Sequence, residues 1–188
     1  MWDQKNAGEF GLSFENKTVL LLSWRDVEEL LDHDSVIKAV EEAFRLKGLK
    51  KVQMPPKLYL FFREYNGDLR VMPAYLPDMK AAGVKVVNVH PDNMKKYGLL
   101  TVMATIILID PETGRPMAIM DGTIITAYRT GAAGAIAAKY LARKNSRVMG
   151  VIGAGVQARA QLIFTSRVLK LEKVKVLDKI RSKAEKYA

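Results

Sequence analysis

The sequence predicts an α/β chain in two parts: an α+β domain over residues 1–125, then the opening of a parallel, helix-backed domain over residues 126–188. Three observations carry this. Between residues 58 and 120, β-branched and aromatic runs alternate with turn signals, the pattern of antiparallel pairing. From Thr126 to Arg143 the chain turns rich in Ala, which favours helix. Beyond it come a short apolar run, a glycine turn, a helical stretch and a second apolar run, the order of a β-α-β unit.

The elements follow in order. Ser23 and Asp26 read as a capping box, with Val27, Leu30 and Leu31 as the apolar positions of the helix it opens. A second helix is expected from Asp34–Ser35, burying Val36, Ile37, Val40, Ala43 and Phe44 and stopping near Gly48. Leu58–Phe62 is a strand, Asn66-Gly67 a hairpin turn, and Leu69–Tyr75 the return strand. Gly83–Val89 is a further strand, His90-Pro-Asp-Asn93 a turn, Thr101–Asp110 a long β-branched strand, and Pro116–Met120 pairs back after the turn at Pro111–Gly114. The second part reads as helix 126–143, strand 147–152, helix 156–169, strand 173–177 and a helix from Ile180. Residues 18–122 thus read as an α+β domain dominated by antiparallel pairing.

Composition removes several classes of function. The 188 residues include no Cys, which excludes disulfides, zinc ribbons, iron–sulfur clusters and thiol nucleophiles. With His33 and His90 as the two histidines, no metal site is expected. The apolar run Val102–Ile109 is far too short for a membrane span, and Met1–Lys5 opens no secretory signal, so a cytoplasmic location without membrane contact is expected. Charge is uneven. Residues 1–138 hold 17 basic and 17 acidic side chains, whereas residues 139–188 hold 13 and 3 and carry the whole +10. A basic block raises nucleic-acid binding. The few aromatics there (Tyr140, Phe164, Tyr187) and the lack of a recognised motif argue against it.

The glycine turn, Gly153-Ala-Gly155-Val156-Gln157-Ala158, follows a strand and opens a helix, and Asp178 ends the next strand twenty residues after Ala158. This is the fingerprint of a Rossmann dinucleotide fold. Gly153 permits the tight turn, Gly155 lets the backbone approach a pyrophosphate, and Ala158 lets helix and strand pack closely. The helix N-terminus favours the phosphates. Asp178 would accept from ribose hydroxyls and repel a 2′-phosphate, so NAD is expected over NADP. A simple helix cap is the other use of such an aspartate, and a glycine turn that binds no nucleotide is the other use of the loop.

Four cations stand at the ends or centres of apolar segments: Lys57, Arg70, Lys85 and Arg129. Lys85 lies within Val84-Lys-Val-Val-Asn-Val89, where a cation usually requires an anionic partner. A bound carboxylate or an ordinary ion pair would each serve.

Several segments together resemble the ornithine cyclodeaminase/μ-crystallin family, in particular its archaeal alanine dehydrogenase branch. They are Met54-Pro-Pro-Lys-Leu-Tyr-Leu60, Gly67-Asp-Leu-Arg-Val-Met-Pro-Ala74, Lys85-Val-Val-Asn-Val-His-Pro-Asp-Asn93, Leu100-Thr-Val-Met-Ala104, Pro111–Pro116, Arg129-Thr-Gly-Ala-Ala-Gly134, the run ending at Ser146, and the glycine loop. The likeness covers about residues 19–188, and residues 1–17 match nothing. It implies a first domain that binds an amino acid or imine and forms a homodimer through its sheet, followed by a Rossmann domain for NAD(H). By motif position, Lys57 and Lys85 would be catalytic and face the substrate together with Arg70 and Arg129. Arg129, Thr130, Thr101, the loop from Gly153 to Gln157 (Val156 included) and Asp178 would hold the cofactor. The implied activity is NAD-dependent alanine dehydrogenation, with ornithine cyclodeamination and cyclic imine reduction as relatives. Lys57, where the cyclodeaminase branch would carry Arg, favours the dehydrogenase. The Rossmann part is incomplete: it stops just after its second strand. The resemblance therefore also implies that these residues are a piece of a longer protein whose remainder is acidic. A non-catalytic NAD(H)-binding module is the alternative.

Overall fold

The computed structural model describes residues 18–187; the N-terminal readings at Met1–Lys5 and over residues 1–17 lie outside the described residues. A six-stranded sheet is built from β1 (Leu20–Leu22), β2 (Leu58–Phe62), β3 (Gly67–Leu76), β4 (Ala81–Val89), β5 (Val102–Ile109) and β6 (Pro116–Asp121). Its order is β1-β6-β5-β4-β3-β2. All neighbours are antiparallel except β1 and β6, which run parallel. A second, two-stranded parallel sheet joins β7 (Val148–Ile152) to β8 (Lys173–Leu177). The helices are α1 (Trp24–Leu30), α2 (His33–Gly48), α3 (Asn93–Tyr97), α4 (Thr123–Leu141), α5 (Val156–Thr165) and α6 (Arg181–Tyr187).

The pairing register places Lys85, Val87, Ala104 and Ala118 on one face of the large sheet. Val87, Ala104 and Ala118 are buried there, beneath α1 and the start of α4. Two hydrogen bonds dock that start onto β5: Ala104 N–H donates to Thr123 Oγ1 at 3.1 Å, and Gly122 N–H donates to Ala104 O at 2.7 Å. The opposite face carries Leu21, Leu58, Leu60 and Ile119, all exposed.

Helix α4 is the shared wall of the two parts. Ile37 of α2, Ala132, Ala135 and Ile136 of α4, and Phe164 of α5 form one buried cluster, with His33 stacked on Tyr128 at 5.0 Å. The Ala-rich stretch therefore does more than favour helix: its small side chains let α5 approach closely. A Cβ on Gly131 would stand 2.7 Å from Ala160 O and 2.8 Å from Phe164 Cδ2. Ion pairs rim the cluster, Lys139–Glu41 at 2.7 Å and Arg167–Asp34 at 3.0 Å.

The small sheet alternates cleanly. Val151 is buried on the face toward the helices, while Val148, Lys173, Lys175, Leu177 (66% exposed) and Ile152 (90% exposed) line the other. Parallel strands are normally covered on both faces, so this one is half-dressed among the described residues.

Several sequence expectations need correction. Helix α2 begins at His33 because Asp32 caps it, accepting from Ser35 N–H at 2.8 Å. It ends at Gly48 as expected, but Leu46 is its fully buried residue while Phe44 stays half exposed. The hairpin expected at Asn66-Gly67 forms, with Phe62 paired to Gly67 across the loop 63–66. Arg63–Tyr65 form a 3-10 turn, Asn66 takes the left-handed conformation (φ 48°), and Gly67 already belongs to β3. Gly67 has a different constraint: a Cβ there would run into the ring of His90, which stacks on Phe62. Strand β1 and helix α3 were not anticipated, since three and five residues are too few to show a period, and β1 makes the sheet mixed. Helix α4 starts three residues before Thr126 and ends at Leu141, and α5 ends at Thr165.

Candidate functional site

The large sheet and α4 bring the four cations to one side of the molecule. Along β3, Asp68, Arg70 and Met72 share a face; Arg70 is opposite Val87 and Met72 opposite Lys85 on β4. Tyr59 of β2 is opposite Arg70, and Lys57 stands one alternation earlier, just before the strand begins. Lys85 rises from this face to α4, where its Nζ donates to Thr126 Oγ1 at 3.2 Å. Arg129 follows Thr126 by three residues and therefore shares its helix face.

The electrostatics reflect this arrangement. Burial, then the positive charges of Arg129 and Lys57, lower the pKa of Lys85 to about 8. The guanidinium of Arg129 is likewise pulled down by the protein mass around it. Among the described residues no carboxylate bonds to Lys85 or Arg129, so the anionic partner expected for Lys85 from its apolar neighbours is not in this chain's described part. Arg70 differs. It donates from Nε and Nη2 to the two oxygens of Asp68, at 2.7 and 2.9 Å, and lies 5.4 Å from the Tyr59 ring centroid. The Arg70 guanidinium holds the Asp68 carboxyl below the usual carboxylate range. One nitrogen of the fork, Nη1, has no partner in this pair. Asp68, Tyr59 and Thr126 were missed by sequence reasoning; Asp68 stands two residues before Arg70, the same-face spacing of a strand, which could have found it.

The glycine loop sits at the C-terminal ends of β7 and β8. Gly153 takes φ +92°, a left-handed conformation that glycine adopts at no steric cost, and its N–H donates to Leu177 O at 2.7 Å. Space around the missing Cβ atoms of Gly153 and Gly155 is open. Gly155 caps α5 without a side-chain hydrogen bond, so the N–H groups of the first turn, Val156 onward, face no side-chain acceptor of the cap. Asp178 bridges the loop: Oδ2 accepts from Ala154 N–H and Oδ1 from Ile180 N–H, both at 2.8 Å. Those two N–H groups, Ile180 first, hold its carboxyl below the usual range, with Lys183 and Lys179 assisting. Ile152, Gly153, Leu177, Asp178, Lys179 and Lys183 line an open cleft of about 520 Å³ beside it. A dinucleotide fits these features: open backbone at two glycines, uncapped helix N–H groups, and a carboxylate at the second strand end.

The remaining expected residues are placed as follows. Thr130 Oγ1 donates back to Thr126 O at 2.7 Å, on the helix face toward the cations. Gln157 Nε2 donates to Ala127 O at 3.4 Å, which ties the loop's helix to α4. Thr101 lies at the bend before β5, and its carbonyl accepts from His90 N–H at 2.9 Å. Among the described residues no group of acidic and His side chains is arranged to hold a metal, and no helix is long and apolar enough to cross a membrane.

The structure thus joins a mixed sheet, through one helix, to a β-α-β unit with a glycine loop, a mixed α/β architecture. The chain belongs to the ornithine cyclodeaminase/mu-crystallin family, whose model matches residues 17–188. It is 57% identical over 167 residues to the alanine dehydrogenase of Archaeoglobus fulgidus, covering 89% of this chain and 50% of that protein. The solved structure of an archaeal alanine dehydrogenase dimer with bound NAD superposes with a TM-score of 0.85 at 55% identity, over 90% of this chain and 51% of that one. The Δ1-pyrroline-2-carboxylate reductase of Thermococcus litoralis, solved with NADH and L-proline, superposes with a TM-score of 0.87 at 48% identity, over 90% and 52%. The chain thus spans about half the length of the relatives it matches.

Proposed function

We propose that this chain forms the substrate-binding part and the first half of the cofactor-binding part of an NAD(H)-dependent oxidoreductase that acts at the Cα–N bond of a small amino acid, L-alanine in the first instance. The observation that carries this reading is the convergence of Lys57 and Lys85 from one sheet face and Arg129 from α4, with no carboxylate among the described residues bonded to Lys85 or Arg129, together with a glycine loop fit for a dinucleotide. In this reading residues 1–125 hold the substrate and residues 126–188 open the cofactor domain.

The substrate carboxylate is held by Arg129, Lys57 and the free Nη1 of Arg70. Desolvated cations of this kind bind a carboxylate more strongly than solvent-exposed ones. Lys85 is assigned the proton: its pKa of about 8 lets it give up and recover a proton near neutral pH. Gly153, Gly155, Val156, Gln157 and Asp178 would hold the dinucleotide, together with Arg129, Thr130 and Thr101. NAD supplies a hydride acceptor for the Cα hydrogen. Loss of that hydride leaves an imine, which water converts to pyruvate and ammonia, and reductive amination is the reverse. Asp178 favours NAD over NADP by repelling a 2′-phosphate. The exposed apolar face of the large sheet, Leu21, Leu58, Leu60 and Ile119, supports a homodimer through that sheet.

Reduction of a cyclic imine is the second reading, supported by the 48% identity to the pyrroline-2-carboxylate reductase. The test is direct. Calorimetric titrations of the purified chain with NADH and with pyruvate should show both bind, and Lys85→Met should weaken pyruvate alone. Failure of wild type to bind either ligand defeats the proposal. Supplied with the other half of a relative as a second chain, it should form NADH from L-alanine; NADH oxidation with pyrroline-2-carboxylate but not with pyruvate plus ammonia would favour the second reading.

A further inference from the structure

We infer that Thr126 is a positioning residue for Lys85: its hydroxyl, on the first turn of α4, holds the amine that rises from the centre of β4. The inference deepens the proposed function and rests on it for its catalytic meaning, although the contact itself does not. The hydrogen bond, 3.2 Å from Nζ to Oγ1, joins residues 41 apart in sequence. It is a tie between the large sheet and the helix that also walls the nucleotide fold.

Thr126 is a firm anchor. Its N–H donates to Gly122 O at 2.9 Å, and its carbonyl accepts from Thr130 Oγ1 at 2.7 Å. A β-branched side chain in a helix has few rotamers, so the oxygen is presented from a nearly fixed point. The surroundings of Lys85 offer no alternative hold. Met72 of β3 and Ile106 of β5 lie directly opposite it. Arg70, the next charged group on that face, is engaged by Asp68. Lys57 before β2 and Arg129 on α4 repel it.

The hydroxyl has a property that no carboxylate or apolar group would share. It accepts a hydrogen bond from an ammonium and donates one to a neutral amine. The nitrogen of Lys85 is thus kept at one place in both protonation states, which a group that gives and recovers a proton requires. An aspartate at 126 would lock Lys85 charged. A valine would leave its nitrogen unpartnered in a half-buried setting.

The test uses the full chain with 13C at the lysine ε-carbons, the Lys85 signal assigned by Lys85→Arg, titrated from about pH 6 to pH 11. Wild type and Thr126→Ser should titrate together. Thr126→Val should titrate lower by roughly half a unit, because a bond to the charged form has been lost. Identical titration of wild type and Thr126→Val would overturn the inference. Should the valine variant fail to fold, Thr126→Asp provides the second arm: Lys85 should titrate at least about one unit higher, and an unmoved signal would overturn the inference equally. Pyruvate titration of Lys85→Met separates the two levels. Unweakened binding there would defeat the site's proposed function, while a shift in Thr126→Val would still establish the coupling.

Discussion

Asp68 clamps Arg70 through two parallel hydrogen bonds, and Tyr59 lies against the same guanidinium. Two neighbouring strands of the large sheet thereby fix the plane of one cation, and Nη1 takes no part in the pair. The two side chains are 32% and 17% exposed, so the pair is neither a solvated surface bridge nor a buried one.

Asp68→Asn should cost about 1 kcal/mol of stability, the range for a bidentate pair of intermediate exposure. The sign with pH follows from the depressed Asp68 pKa: its contribution is present above the ordinary carboxylate range and is lost as pH falls through the lower folded value. Urea unfolding of wild type and variant at neutral and acid pH should show the difference at neutral pH shrink in acid. Pyruvate affinity should fall several-fold in the variant, because Arg70 loses its fixed plane.

Lys85 has the opposite sign. Its folded pKa, about 8, lies below the unfolded value of 10.5, so the folded chain holds fewer protons than the unfolded chain between those limits. Below pH 8 the buried charge opposes folding in full, and the penalty is relieved as pH rises toward 10.5. Lys85→Met should stabilise the chain at pH 7 by about 1–2 kcal/mol, after allowance for partial solvation. The stability difference between the two proteins should narrow from pH 8 upward, as read from urea midpoints. Pyruvate should bind wild type with proton uptake near pH 8.5, because a bound carboxylate raises the pKa of Lys85. Calorimetry in buffers of different ionisation heat measures that uptake.

Gly131→Ala should destabilise by roughly 2–3 kcal/mol, because the added methyl meets the backbone oxygen of Ala160 and the ring of Phe164, and the helices must part. Gly48→Ala is the matched control. Nothing lies within 4 Å of its Cβ position, at the end of α2, so it should be neutral or stabilising by up to about 1 kcal/mol. Thermal unfolding of both variants decides between a close helix crossing and a generic glycine effect.

Asp178→Ala should release both Ala154 N–H and Ile180 N–H and so loosen the loop. NADH affinity should fall tenfold or more while pyruvate affinity holds. Equal NADH affinity in wild type and variant, measured by fluorescence titration, would show that the aspartate serves the loop alone.

Features that depend on near neighbours in the chain were legible from the residues themselves. The capping box at Ser23 and Asp26 formed as expected, with both hydrogen bonds in place, because its partners are three residues apart. Strands β2 to β6 and the β7-α5-β8 unit were readable from period and turn chemistry, and the glycine loop with Asp178 from spacing alone. Tertiary structure decided the rest. Strand β1 owes its existence to a parallel partner almost a hundred residues away, which no local pattern encodes. The same holds at the candidate site. The sequence singled out Lys85 as a cation among apolar residues and looked for an anion beside it. The fold instead set Thr126 on its nitrogen and two further cations around it, because β4 and α4 meet there, and burial without a counter-charge is what brings its pKa near neutrality.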